Sequence, residues 1–204
     1  MAAPTRTRSP WRSTPAAVIA AGWFSAALAA SALGAFRTPP GEPPVVLALA
    51  AGAPPLVVLI LGLRSSRFRA WARGIDLRFL TLLQTWRVAG LAFLALAAVD
   101  ALPAGFALPA GLGDVAIGLT APLVALFVVD RADRLFVVWT AVGIADLLLA
   151  VALGVLYSAS PAGVLLADVD TGLMSTLPMS LVPAFGVPVT LVAHLLSLIN
   201  LTDR

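Results

Sequence analysis

Gln84, Arg87, Asp114, Asp146 and His194 are polar side chains set inside long runs of Ala, Leu, Val and Gly. An arginine and two aspartates can pair or line a polar path, and a histidine can shuttle protons or bind a ligand. In hydrocarbon an ionisable group costs at least about 2.5 kcal/mol, so each one needs a partner, a wet path or a reach to the membrane surface. Counted by helix rise from the inner edge, His194 lies at ~10 Å, Arg87 at ~12 Å, Asp146 at ~16 Å and Asp114 at ~22 Å. Arg87 and Asp146 are the best-matched pair, each offsetting the other's desolvation. Gln84 lies three residues before Arg87 on the same face and is placed to complete its hydrogen bonding. Three readings stay open for this pair: a lock on helix register, the lining of an aqueous path, and two side chains snorkelling to separate interfaces.

Asp114 follows Gly111-Leu112-Gly113 and could cap a helix. A helix starting after it would be only ~22 Å long, too short to cross, so a start at Pro109 is preferred and puts Asp114 about a turn and a half inside. Gly111, Asp114 and Gly118 then share a face on which another helix can approach closely. His194 is read first as a hydrogen-bonded packing residue, and second as a shuttle or ligand.

Counting removes several chemistries. Without cysteine there is no disulfide, thiolate metal site or cysteine nucleophile, and one histidine cannot build a multi-histidine site within one chain. Asp168-Val-Asp170 is weak as a cation ligand and reads as solvated loop. No catalytic residue, metal or cofactor is assigned. All 13 basic residues are arginine, and the net charge of +3 with a pI near 11.0 could suggest nucleic acid. The arginines form no basic domain, however, and their placement reads as a topology signal.

The elements that must carry these residues follow from composition. Of 204 residues 60% are hydrophobic and 11% charged, with a mean hydropathy of +1.00, too little polar surface for a water-soluble domain. The expected fold is all-α, a polytopic bundle of six transmembrane helices at about 15–36, 44–63, 79–99, 109–129, 135–157 and 181–201. Residues 1–14 read as a disordered tail before one six-helix domain over 15–204. Cleavage after Ala30-Ser31-Ala32 is the lesser reading of the N-terminus, because the apolar run is longer than a signal peptide's. Arg6, Arg8, Arg12, the arginines of 64–78, Arg131, Arg134 and Arg204 all fall on one side, against Arg37 on the other. The positive-inside rule therefore puts both termini in the cytoplasm, in the inner (plasma) membrane.

Within 64–78, Phe68, Trp71 and Ile75 share one face with arginines mostly around the other, the pattern of an interfacial helix on anionic lipid. The repeat ALPAGF–ALPAGL over 101–112 reads as two successive turns, and 158–180 is apolar enough to fold back on the bundle. Pro54-Pro55, Pro122, Pro183 and Pro188 are expected to kink or interrupt their helices, as in transporter sites or simply for packing. Small-residue ridges run along Gly22, Ala26, Ala30, Gly34 and along Gly143, Ala150, Gly154 beside Asp146. Trp86 with Gly90, and Trp139 with Gly143, repeat one spacing without establishing a duplication.

The run Trp86-Arg87-Val-Ala-Gly90, then Phe106-Ala-Leu-Pro-Ala-Gly111-Leu-Gly-Asp114, then Gly143-Ile-Ala-Asp146 resembles a group of small bacterial integral membrane proteins. That group carries no assigned function, so the resemblance implies a fold and no activity. Gly111-Leu-Gly-Asp114 also resembles the GxGD motif of intramembrane aspartyl proteases of the presenilin, signal-peptide-peptidase and prepilin-peptidase families. In those families the GxGD aspartate is the second of the pair, whereas here Asp146 follows it, Asp100 lies at the outer edge, and no lysine comes after the motif. The leading expectation is a small channel or transporter-like protein for an ion or small solute. The alternatives are an accessory subunit with a structural ion pair and, last, a protease using Asp114 and Asp146. Expected partners are the bilayer, anionic lipid at 64–78, and a second copy or a larger membrane complex.

Overall fold

The computed structural model describes residues 14–131, 133–165 and 167–201. The tail proposed for 1–14, apart from Thr14, and Arg204 lie outside the described residues. Among those described, the regular structure is entirely helical: α1 (Thr14–Ala32), α2 (Val45–Arg64), α3 (Ser66–Ala72), α4 (Leu77–Leu82), α5 (Leu91–Ala98), α6 (Ala104–Phe127), α7 (Asp133–Leu156) and α8 (Val187–Leu201). A 3-10 stretch, Leu83–Gly90, joins α4 to α5, and a π-helical turn, Val182–Gly186, leads into α8. Five helical rods are long and apolar enough to cross a membrane: Val45–Arg64, Leu77–Ala98, Ala104–Phe127, Asp133–Leu156 and Val182–Leu201. The chain is thus a multi-pass membrane protein by length and composition, and α1 contributes a shorter apolar stretch, Ala17–Ala32.

The α4–3-10–α5 rod, α6, α7 and α8 pack around one another, α2 lies along α8, and α1 touches the π-turn. Two apolar clusters hold the ends. One joins Leu77, Leu80, Val124, Phe136, Ala193 and Leu196. The other joins Phe93, Leu102, Phe106, Ala107, Ala110 and Met174. Leucines and valines of α2, such as Leu49, Leu56, Val57 and Leu63, point outward, as lipid-facing residues do. α1 is held by Trp23 and Phe24 edge-on to Phe185, each at 5.2 Å, and by the Ser31–Ser180 hydroxyl pair.

Several local expectations change. Pro54, Pro55 and Pro122 sit inside unbroken α-helices and do not interrupt them. A proline gives up one backbone bond, but unwinding in lipid would orphan several more, so the helix continues. The breaks fall elsewhere: in the 3-10 stretch, which holds no proline, and in the π-turn around Pro183, with Pro188 the second residue of α8. α6 starts at Ala104 behind Pro103, so only the first Leu-Pro-Ala-Gly is a turn and the second, at 108–111, is helical.

The ridge assigned to α1 is also misplaced. A Cβ on Gly22 would meet nothing, and the contact face runs instead through Trp23, Ala27, Ala30 and Ser31. Of the segment 64–78 expected to form one interfacial helix, Ser66–Ala72 forms the seven-residue helix α3. Phe68 and Ile75 pack on the core while Trp71 stays exposed, so the three do not form one lipid face. Arg69 turns back to donate to Gly62 O and Leu63 O at the end of α2, where a cation suits the free carbonyls. The segment 158–180 does fold back. Leu173, Met174 and Met179 join the second cluster, and Thr171 Oγ1 donates to Gly154 O at 2.6 Å.

Candidate functional site

Between the two apolar clusters lies a polar layer centred on Arg87. The 3-10 winding puts residues three apart in line, so Gln84, Arg87 and Gly90 form one buried edge facing the other helices. Eight residues is long for 3-10 structure, and such mid-helix stretches often mark hinges or strained positions. The side chain of Arg87 is wholly buried, with 0% exposure. Its Nε donates to Asp114 Oδ1 on α6 at 2.6 Å, its Nη2 donates to Asp146 Oδ2 on α7, and its Nη1 donates to Gly143 O at 3.4 Å. The aspartate side chains are 13% and 12% exposed. One guanidinium thus ties two carboxylates from two helices, a strong charge-assisted arrangement.

Glycines make this geometry available. A Cβ on Gly90 would stand 2.6 Å from Asp114 Cβ and 3.0 Å from Gly111 O, and one on Gly118 would stand 2.6 Å from Val88 N. The 3-10 stretch and α6 therefore meet backbone to backbone along Gly90, Gly111 and Gly118, the close approach that the shared Gly111–Asp114–Gly118 face implied. Gly113 points to the other neighbour, and a Cβ there would collide with the Asp146 carboxylate. Gly111 and Gly113 thus admit different helices to either side of Asp114. On the facing side, Trp86 packs on Gly186 of the π-turn.

His194 of α8 belongs to the same layer. Its ring lies edge-on to Trp139 with centroids 5.6 Å apart, and Trp139 Nε1 donates to Thr120 Oγ1 at 3.0 Å. A Cβ on Gly143 would stand 2.5 Å from His194 Nε2 and 3.5 Å from Arg87 Nη1, so both nitrogens border one small space. His194 is 1% exposed, and its Nε2 has no hydrogen-bond partner among the described residues. The ring thus packs on Trp139 while its Nε2 makes none of the hydrogen bonds expected of a packing histidine among the described residues. Gln84 Oε1, Thr85 Oγ1 and Thr140 Oγ1 are likewise buried without a partner among the described residues. Native interiors leave few polar atoms in that condition.

Two sequence expectations are corrected here. Gln84 does not complete the bonding of Arg87. Its Nε2 donates to Thr190 O at 3.3 Å, docking the 3-10 stretch on α8. Asp114 is not a turn and a half inside its helix but ten residues beyond Ala104, and it bonds Arg87 directly instead of lying about 10 Å further out. The pairing of Arg87 with Asp146 is present, with Asp114 as a second partner. Both carboxylates bond the Arg87 guanidinium, and Asp146 follows the GxGD aspartate along the chain, the reverse of the order in the aspartyl proteases. Asp100 is a turn residue with φ 53° at the end of α5, and Asp170 accepts from Gly172 N at 2.7 Å within its own turn.

A family model described as Domain of unknown function (DUF8737) matches residues 44–202. The chain belongs to this family. No curated protein and no solved structure matches it. The DUF8737 region takes in the whole ionic layer and every rod long enough to cross a membrane, and it begins just before α2, so α1 lies outside it. The contacts of Thr140, Thr190, Gly90, Gly113 and Gly186 are not marked by the sequence, although Gly90 and Gly113 stand in the quoted motifs. Their spacing from Asp146, His194 and Trp86 does not by itself name a contact across helices.

Proposed function

We propose that this DUF8737 protein is a multi-pass protein of the inner (plasma) membrane, with both termini cytoplasmic, that passes an ion through the layer around Arg87. The observation that carries this reading is the charge count at that layer. One buried guanidinium faces two carboxylates, so a bundle that needed only a register lock holds one acidic group more than the lock requires. The surplus is negative, which selects a cation over an anion or a neutral solute. Supporting it, one departure from α-helical winding carries Arg87 itself and the other packs at Gly186 against the neighbouring Trp86, where helices can change shape without melting. The arginine-bearing segment around α3, with Trp71 outward, would rest on anionic headgroups at the cytoplasmic face.

A second reading has its own observation. Every nitrogen of Arg87 has an acceptor and its side chain is fully enclosed, as in an accessory subunit whose cluster only fixes register. Flux measurements in proteoliposomes separate the two. Cation uptake above that of empty vesicles, abolished in both Asp114→Asn and Asp146→Asn with the fold intact, is the expected result. Wild-type protein no leakier than empty vesicles for alkali cations and protons would favour the accessory reading.

A further inference from the structure

Charge balance at the Arg87 layer has a consequence for what the cluster holds. With both carboxylates ionised, the layer would carry a net negative charge in a low-dielectric interior, which costs several kcal/mol unless it is compensated. The groups facing it are few. The 3-10 stretch brings Arg87, α6 brings Asp114, α7 brings Asp146 and α8 brings His194, while α2 has no ionisable side chain before Arg64 at its end and α1 has none among its described residues. No other cation in the described helices reaches this layer.

A second observation is independent of the carboxylates. His194 Nε2 is buried, has no partner among the described residues, and borders the same small space over Gly143 as Arg87 Nη1. Asp146 stands three residues further along α7, the next position on that face. Thr140, three residues to the other side of Gly143, adds a buried hydroxyl without a partner. An imidazole nitrogen and a hydroxyl are the side-chain types that pass protons, since each can both accept and donate.

We propose that Asp114 and Asp146 together hold one exchangeable proton, and that His194 is the side chain through which it exchanges with water. This rests on the cluster being the working site and names the proton as its ion. In the exchange step the O–H bond of the carboxylic acid breaks and its proton forms an N–H bond on the imidazole. The imidazolium then returns that proton to a water molecule and becomes neutral again. The carboxylate left behind is paired with Arg87 until the reverse step restores the acid. Nothing is oxidised or reduced.

The test is infrared spectroscopy of the purified full chain at neutral pH, read in the carbonyl-stretch region of protonated carboxyl groups. Wild type should show one such band. Either Asp114→Asn or Asp146→Asn alone should remove it, because the remaining carboxylate is then fully balanced by Arg87. On transfer to deuterated buffer, His194→Phe should keep the band but slow its isotope shift by about a hundredfold, the contribution expected of one positioned proton-transfer group. His194→Gln, which fills the site with a side chain that does not titrate, should slow it likewise and covers the case in which the phenylalanine variant fails to fold.

Absence of the band in folded wild type, or its survival in both asparagine variants, overturns the proton assignment. An isotope shift as fast in His194→Gln as in wild type overturns the role of His194. The band and the flux are separable. A band without proton or cation flux refutes ion passage while leaving the proton site standing. Cation flux without a band refutes the proton site alone.

Discussion

Replacing Arg87 by methionine removes the guanidinium but keeps a side chain of similar length. Asp114 and Asp146, 13% and 12% exposed, then lose their common partner, and Gly143 O loses a donor. Breaking a buried pair by deleting one partner costs about 3–5 kcal/mol, and a partner shared by two carboxylates places the loss at the upper end of that range. For a domain of this size that is a fall in unfolding temperature on the order of 10 °C. The assay is thermal or denaturant unfolding of detergent-purified protein. The comparison is the triple variant Arg87→Met, Asp114→Asn, Asp146→Asn, which takes away the stranded charges and should recover more than half of the loss. A single variant within about 1 kcal/mol of wild type, the range of an exposed pair, would refute the buried-pair reasoning. A triple variant no more stable than the single would refute the charge argument as well.

Other contacts make narrower predictions. Gly118→Ala puts a Cβ 2.6 Å from Val88 N, so the 3-10 stretch and α6 must separate; a loss of about 1–3 kcal/mol is expected in the same unfolding assay. Asn200→Ala deletes donors to Ala72 O at 3.1 Å and Ile75 O at 2.9 Å, and should cost about 1–3 kcal/mol and speed amide exchange over 66–78, measured by mass spectrometry. Ser180→Ala strands the buried Ser31 hydroxyl and should cost about 1–3 kcal/mol, whereas Ser31→Ala with Ser180→Ala should be nearly neutral.

What the sequence made legible was what composition and length control. Apolar runs mark the rods, and a lone intramembrane arginine demands a carboxylate, which pointed to Asp146. Asp114 as second partner was hidden by an error in where α6 begins. Pro109 looked like a first-turn residue, yet it lies inside the helix behind Pro103, and that shift of more than a turn moves Asp114 to the level of Arg87. Proline was also a poor guide to broken helices. The rod that changes winding does so over Leu83–Gly90, where the requirement is tertiary: Gln84, Arg87 and Gly90 must all face inward at once. That His194 Nε2 has no partner among the described residues is invisible for the same reason, since satisfaction of a nitrogen depends on what the other helices bring to it.

The claim on which the account turns is that the Arg87 layer is reached by water. Because the chain has no cysteine, one introduced thiol reports without background. Gly113 and Gly143 are unsuitable positions, since a side chain there would strike Asp146 or His194, but Thr140→Cys replaces one small side chain with another at 0% exposure in the layer itself. Intact cells and inverted vesicles carrying Thr140→Cys would be treated with a membrane-impermeant maleimide. Labelling from one side is the predicted result. A folded protein that stays unlabelled from both sides would mean a dry cluster, and ion passage through it would be contradicted.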